Sequence, residues 1–136
     1  MVCETRLRVR YHETVEAGVA HYSYLCTWLD LAQQEMLRRV GHSYGEFGEQ
    51  GYRLICGELQ LSMKSGARFE EEVCVRSWVE EMKYFRFQVC YEVLGEDGRL
   101  IATARTSNVF VSGQMKPVNM AKKFPEIYEA LKMFLA

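Results

Sequence analysis

The stretch RVRYHETVEAGVAHYSYLCTWLDLAQQEMLRRVG, residues 8–41, changes its period in mid-course. Up to Thr14 it continues an alternation in which Leu7, Val9 and Tyr11 are interleaved with Arg6, Arg8 and Arg10. A two-residue period of this kind predicts a half-buried strand over 4–14. Glu16-Ala17-Gly18 breaks it. From Tyr22 the apolar residues return every three or four positions: Leu25, Trp28, Leu29, Ala32, Met36, Leu37 and Val40. Thr27, Asp30, Gln33, Gln34 and Arg38 fall on the opposite face, so the spacing predicts an amphipathic helix over 23–40, about 27 Å long. Ser23 is placed to cap its start and Gly41 to end it.

Beyond Gly41 a polar, glycine-bearing stretch, 42–51, reads as a loop, and the chain then turns to strands over 52–64, 71–81, 84–95 and 99–112. Phe85, Phe87, Val89, Tyr91 and Val93 alternate without a fault and read as core. GEDG at 95–98 links the last two strands as a tight hairpin. Pro117 closes the sheet region, since proline cannot donate within a ladder. AKKFPEIYEALKMFL, with Pro125 near its first turn, predicts a short amphipathic C-terminal helix. The order is strand, long helix, four strands, short helix, in one domain spanning 1–136. A single helix covers one face of such a sheet and leaves a long edge of unpaired backbone groups, so edge-to-edge dimerisation is a physical expectation.

Composition narrows the function classes. At 136 residues, 49% hydrophobic and 26% charged, the chain is one ordered globular domain rather than a disordered one. A net charge of −1 lacks the basic surplus of a nucleic-acid binder. The opening MVCETRLRVRY has no apolar core of a signal peptide, and no apolar run approaches the ~20 residues of a membrane span, so a cytoplasmic location is expected. Five cysteines without CxxC spacing argue against a disulfide framework. Cys56, Cys74 and Cys90 lie within strands, where they are expected to pack as small hydrophobes. No HxxxH or Cys/His cluster is present, so no metal site is expected.

Residues 8–41 resemble the 4-hydroxybenzoyl-CoA thioesterase family of hot-dog proteins. That family reads as an arginine- and tyrosine-bearing strand, an E/D-T-D, two variable positions, Gly-Val, and then a W-x-E-x-A helix. Glu13, Thr14, Gly18, Val19, Tyr22, Trp28, Asp30, Ala32 and Glu35 stand at matching offsets. GRLIATARTSNVFVSGQMKP, 98–117, is similar to the family's last strand and its terminal Lys-Pro. The resemblance implies an α+β hot-dog fold, a long central helix wrapped by an antiparallel sheet of about five strands. It further implies acyl-CoA or acyl-carrier-protein thioesters as substrates, with coenzyme A entering only as part of the substrate and no separate cofactor. Homodimers or homotetramers with sites at the subunit interface complete the implied picture.

One departure is chemical. The family's catalytic aspartate aligns with Val15, which can neither attack a carbonyl nor take a proton from water. Hot-dog thioesterases acting on enediyne polyketides also lack that acid. Hydrolysis still requires polarisation of the carbonyl and delivery of a nucleophile, and the free N–H groups of a helix start supply the first. The resemblance puts the oxyanion-stabilising amide near Tyr22, with Ser23 and Gly18 beside the substrate. Glu16, the nearest carboxylate to the empty position, is a candidate general base, and its bland alternative is a solvated loop residue. His21 is a candidate to orient water, since histidine titrates nearest neutrality. Glu13 is expected to brace the loop through backbone amides. Lys83, Arg86 and Lys116 are candidates to grip coenzyme A phosphates; each is otherwise an ordinary surface charge. The second functional reading is a non-catalytic acyl-thioester binder that has lost the acid.

Overall fold

The computed structural model describes residues 1–136. β1 (Cys3–Arg8) alternates as its pattern requires, with Glu4, Arg6 and Arg8 outward, but it stops short of the predicted Thr14. The reason is Glu13. Its carboxylate folds back to accept the Arg10 N–H at 2.7 Å, and the chain between them closes into a 3-10 turn, Tyr11–Glu13.

α1 (Tyr22–Arg39) begins one residue before the prediction, and its cap is His21 rather than Ser23. The His21 Nδ1 accepts the Ser23 N–H at 3.2 Å, which places Ser23 inside the first turn as the donor. Gly41 ends the helix as predicted: its φ of +85° suits glycine, and the His42 N–H reaches back to the Leu37 carbonyl at 2.9 Å. The apolar stripe Leu25, Trp28, Leu29, Ala32, Met36 and Leu37 is buried. Gln33, predicted on the solvent face, is buried as well, because the Tyr44 hydroxyl donates to its Oε1 at 2.7 Å. That tyrosine opens α2 (Tyr44–Glu49), a short helix within the predicted loop. Phe47 holds it down, with its ring centroid 5.0 Å from Phe110 and 5.2 Å from Phe124.

Four strands follow: β2 (Arg53–Met63), β3 (Glu72–Met82), β4 (Arg86–Leu94) and β5 (Leu100–Val111). All pair antiparallel in the order β1-β3-β4-β5-β2. The GEDG hairpin forms, with Gly98 at φ +83° and its N–H on the Gly95 carbonyl at 3.0 Å. The C-terminal segment is two short helices, α3 (Met120–Lys123) and α4 (Pro125–Leu131), rather than one. Pro125 forces the preceding Phe124 out of helical geometry.

α1 packs on the inner face of the sheet, over Val73, Val75 and Val79 of β3 and Phe87, Val89, Tyr91 and Val93 of β4, all buried. Fully burying one such side chain contributes about 1.5–3 kcal/mol. Phe85 does not join them: it precedes β4 and is 48% exposed. The cysteine expectation also fails in part. Cys56 lies exposed on the edge strand, and Cys74 and Cys90 are half-buried on the outer face, Cys90 opposite Trp78. Only Cys3 packs as a core residue. No helix is long and apolar enough to cross a membrane.

Candidate active site

Glu13 organises the region in which the sequence motif lies. Its side chain is fully buried, accepting from the Arg10 backbone at 2.7 Å, the Arg10 guanidinium at 3.0 Å and the Trp28 indole N–H at 2.9 Å. Burial pushes the carboxyl upward, but these donors outweigh it and hold it below the usual carboxylate range. Its carbonyl accepts the His21 N–H at 2.9 Å. One residue thereby joins the end of β1, the loop and α1. The expected brace is present through one backbone amide, that of Arg10, and the indole of Trp28 is a partner that periodicity alone did not reveal.

Between Thr14 and Ala20 the chain makes a small hairpin. The Val15 N–H donates to the Val19 carbonyl at 2.9 Å and the Gly18 N–H to the Val15 carbonyl at 2.8 Å, with Gly18 at φ +76°. Val15 is 45% exposed on the lip of a hollow of about 570 Å³, lined by Tyr11, Thr14, Val15, Glu16, Gly18 and Phe69. Glu16 is exposed beside it and makes no hydrogen bond or ion pair within the chain.

At the helix start, the Ser23 N–H goes to the His21 ring and the Tyr24 N–H to the His21 carbonyl at 3.0 Å. The Tyr22 N–H, first of the helix, donates to no backbone or side-chain acceptor. It carries the positive end of an 18-residue helix, equivalent to roughly half an elementary charge. His21 is engaged on its Nδ1 by both the amide and, at 2.8 Å, the hydroxyl of Ser23. Val15, Glu16, Gly18, His21, Tyr22 and Ser23 therefore gather at one end of the molecule.

Lys83, Arg86 and Lys116 lie at the other end. Arg8, beside the hairpin, pairs with Glu72 at the start of β3, whereas Lys83 follows Met82 at its end. Eleven strand residues separate these ends by about 35 Å. Lys83 is paired with Glu81 at 2.8 Å, while Arg86 and Lys116 are exposed. A single chain does not bring the three cations to the hairpin.

An open trough runs between α1 and the edge strand β2. Leu54, Cys56, Leu59, Leu61 and Met63 pair with Phe110, Asn108, Thr106, Ala104 and Ala102, so they face inward with them. Leu59 and Met63 are each 42% exposed, since nothing in the chain covers this side. Tyr22, Cys26 and Asp30, four residues apart, form the neighbouring flank of α1 and are all exposed. The opposite flank is spoken for: the Arg39 guanidinium donates to the Glu4 carbonyl of β1. Behind the trough, Asn108 donates to Thr106 at 3.0 Å and the Tyr91 hydroxyl contacts the same Oγ1 at 3.2 Å. Sequence reading missed this wall because its members come from α1, β2 and the β4–β5 hairpin, segments far apart in the chain.

The fold has close relatives. A DHNA-CoA thioesterase from Staphylococcus aureus superposes with a TM-score of 0.93 at 28% identity, over 97% of this chain and 89% of that one. The hypothetical protein TT1821 from Thermus thermophilus gives 0.89 at 30% identity, over 100% and 99%. In Bacillus subtilis (strain 168), the "Putative acyl-CoA thioesterase YneP" is 23% identical over 130 residues, 95% of this chain and 94% of that protein. The five-stranded antiparallel sheet with its packed helices is thus that of hot-dog thioesterases. Residues 9–133 match the family model of the thioesterase-like superfamily, and to that superfamily the chain belongs.

Proposed function

We propose that the protein hydrolyses acyl-CoA thioesters. The observation that carries this reading is the Tyr22 N–H, left without an acceptor at the positive end of α1. As water attacks a thioester, negative charge collects on the carbonyl oxygen, and a fixed amide aimed at that charge stabilises it without reorganising. Water is the nucleophile, positioned by Glu16 or His21, because Val15 cannot form an acyl intermediate. The relatives named for DHNA-CoA and acyl-CoA thioester hydrolysis support the substrate class.

The working unit is a homodimer. β1 is a six-residue edge with charged outward side chains, but β2 is an eleven-residue edge with an uncovered apolar inner face. Such an edge pairs readily with another strand, and a second copy of β2 joins the two sheets into one. Antiparallel joining brings the far end of one chain toward the hairpin end of the other, which allows Lys83, Arg86 and Lys116 to meet the coenzyme A phosphates there.

Incubation with acyl-CoAs of graded chain length and with an aromatic acyl-CoA, following free thiol with a chromogenic reagent, tests the proposal. Turnover of at least one acyl-CoA above the buffer rate is expected. No release from any of them, and none from carrier-protein thioesters, refutes it. Val15 favours a second reading, a binder without turnover. Calorimetry with a non-hydrolysable acyl-CoA thioether separates the two, since tight binding without thiol release supports the binder.

A further inference from the structure

The hairpin that carries Glu16 and runs into the Tyr22 N–H has little hold of its own. Of residues 14–20 only Ala20 is buried. Its second arm leans on the loop between β2 and β3. The Ala20 N–H donates to the Ala67 carbonyl at 2.8 Å, the Phe69 N–H to the Gly18 carbonyl at 3.2 Å, and Val19 pairs with Arg68. The same loop brings Phe69 into the hollow beside Val15, its ring centroid 5.6 Å from that of Tyr11. Yet residues 64–71 lie outside the strands, and Ala67 is the one buried among them.

What fixes the loop is a clamp set just before β5. The Arg99 guanidinium donates to both oxygens of Glu71, at 2.7 and 2.8 Å, and one of the same nitrogens also reaches the Gly66 carbonyl. Glu71 accepts in addition the Arg68 N–H at 3.0 Å and the Glu96 N–H at 3.1 Å, so its carboxylate, only 10% exposed, joins the loop to the β4–β5 turn. Two glycines make room for this. A Cβ at Gly95 would stand 2.5 Å from the Arg99 Nη1 and the Glu71 Oε2, and one at Gly66 would meet the Val19 Cγ1 at 2.9 Å. Neither glycine has a positive φ, so space rather than backbone conformation excludes a side chain. Glu70, by contrast, sits at φ +67° without being glycine. Such a conformation persists only where its neighbours over-determine it. Here the Glu70 N–H donates to the Val9 carbonyl at 3.0 Å, and the Arg8 guanidinium donates to the Glu70 carbonyl at 2.6 Å.

We infer that Arg99 and Glu71 are positioning residues for the hydrolysis: by locking residues 66–71 they set the hairpin, and through it Glu16 and the Tyr22 N–H, against the thioester. The assignment rests on the hydrolase reading above. Ala20 is followed directly by His21 and Tyr22, so a shift of the hairpin's second arm is passed to the first amide of α1. Neither clamp residue touches a reacting atom. Their effect is geometric, and a misplacement of about 1 Å at reacting groups costs on the order of 100-fold in rate.

The test uses the thioester that the wild-type protein hydrolyses fastest, at a temperature where circular dichroism shows each variant folded. Arg99→Lys keeps the charge, but one ammonium cannot serve both Glu71 oxygens and the Gly66 carbonyl as the planar fork does. It is expected to lower kcat by about tenfold. KM should stay within about twofold, because the cations assigned to coenzyme A stand at the other end of the molecule. Gly66→Ala spares the clamp and presses the hairpin off the loop by about half an ångström, the shortfall from ordinary contact with Val19. A similar fall in kcat is expected. Val19→Ala removes the methyl groups that the added carbon strikes, so in that background Gly66→Ala should cost less than about twofold. Should Arg99→Lys fail to fold, the Gly66 and Val19 pair decides. Unchanged kcat in folded Arg99→Lys or in Gly66→Ala overturns the inference and leaves the hydrolase reading standing. A Gly66→Ala loss that is the same with and without the Val19 side chain also overturns it, since the hairpin's place is then not what changed. A wild-type protein that hydrolyses nothing sinks both.

Discussion

Replacing Glu13 by glutamine preserves its shape and inverts half of its hydrogen bonding, and that makes it the most informative single perturbation of this molecule. Both carboxylate oxygens act as acceptors: Oε1 takes the Arg10 N–H, and Oε2 takes the Arg10 guanidinium and the Trp28 indole. A glutamine has one acceptor oxygen. Its NH₂ must face either the Arg10 amide or the indole, donor against donor. Hydrogen bonds to a charged group contribute about 1.5–3 kcal/mol, and a buried donor left unsatisfied costs about 1–3 kcal/mol. The Arg10 guanidinium is 56% exposed, so its ion pair adds little. A loss of about 3 kcal/mol is expected. Trp28→Phe removes the indole donor while leaving Arg10 in place, and is expected to cost about 1.5 kcal/mol. In the double variant the glutamine turns its NH₂ toward the vacated indole position and keeps the Arg10 backbone N–H on its oxygen, while the exposed guanidinium turns to solvent. The combined loss then falls short of the sum by at least about 1 kcal/mol. Urea unfolding followed by far-UV circular dichroism measures all four chains on a common footing. A Glu13→Gln cost below about 0.5 kcal/mol, or strict additivity in the double variant, refutes the claim that this carboxylate ties the loop to α1.

Further outcomes follow from other parts of the fold. Val15→Asp is expected to raise kcat on the best acyl-CoA by about tenfold or more if the hairpin geometry suits an acid; an unchanged rate counts against that alignment of the loop with the helix start. Hydrogen bonds from Arg99, at 2.7 and 2.8 Å, hold the Glu71 carboxyl down to about 2 from its ordinary 4.5. A depressed folded-state value adds stability that is complete above about 4.5 and is lost as the pH falls toward about 2, so the stability gap between wild type and Glu71→Gln should close across that window. A gap independent of pH there refutes the assignment. Leu59→Arg places a charge on the uncovered face of β2 at a position 42% exposed within the monomer. Light scattering should report a folded monomer without turnover, and an unchanged dimer argues for association through another surface.

Much of this protein is legible along the chain, because its elements are set by local periodicity. The alternation of Leu7 with Arg6 and Arg8, the three-to-four spacing from Leu25 to Leu37, and Gly41 and Gly98 at positive φ are all local signals, and each appears where its pattern predicts. What those patterns could not convey were the contacts between distant segments. β1 ends at Arg8 because a buried Glu13 turns back on it, and Gln33 is buried because a tyrosine eleven residues later donates to it. The exposure of Cys56 follows from its strand occupying the edge of the sheet, a matter of strand order rather than of composition. The candidate site divides the same way. The helix start and the hairpin that leads into it, with Val15 on its lip, can be read from residues 13–23, since they are neighbours in sequence. The trough, with Asp30 beside an open β2, exists only once the fifth strand has placed the second at the sheet's edge and left its inner face uncovered, because hydrogen-bond register across the sheet, not sequence distance, decides which side chains share a wall.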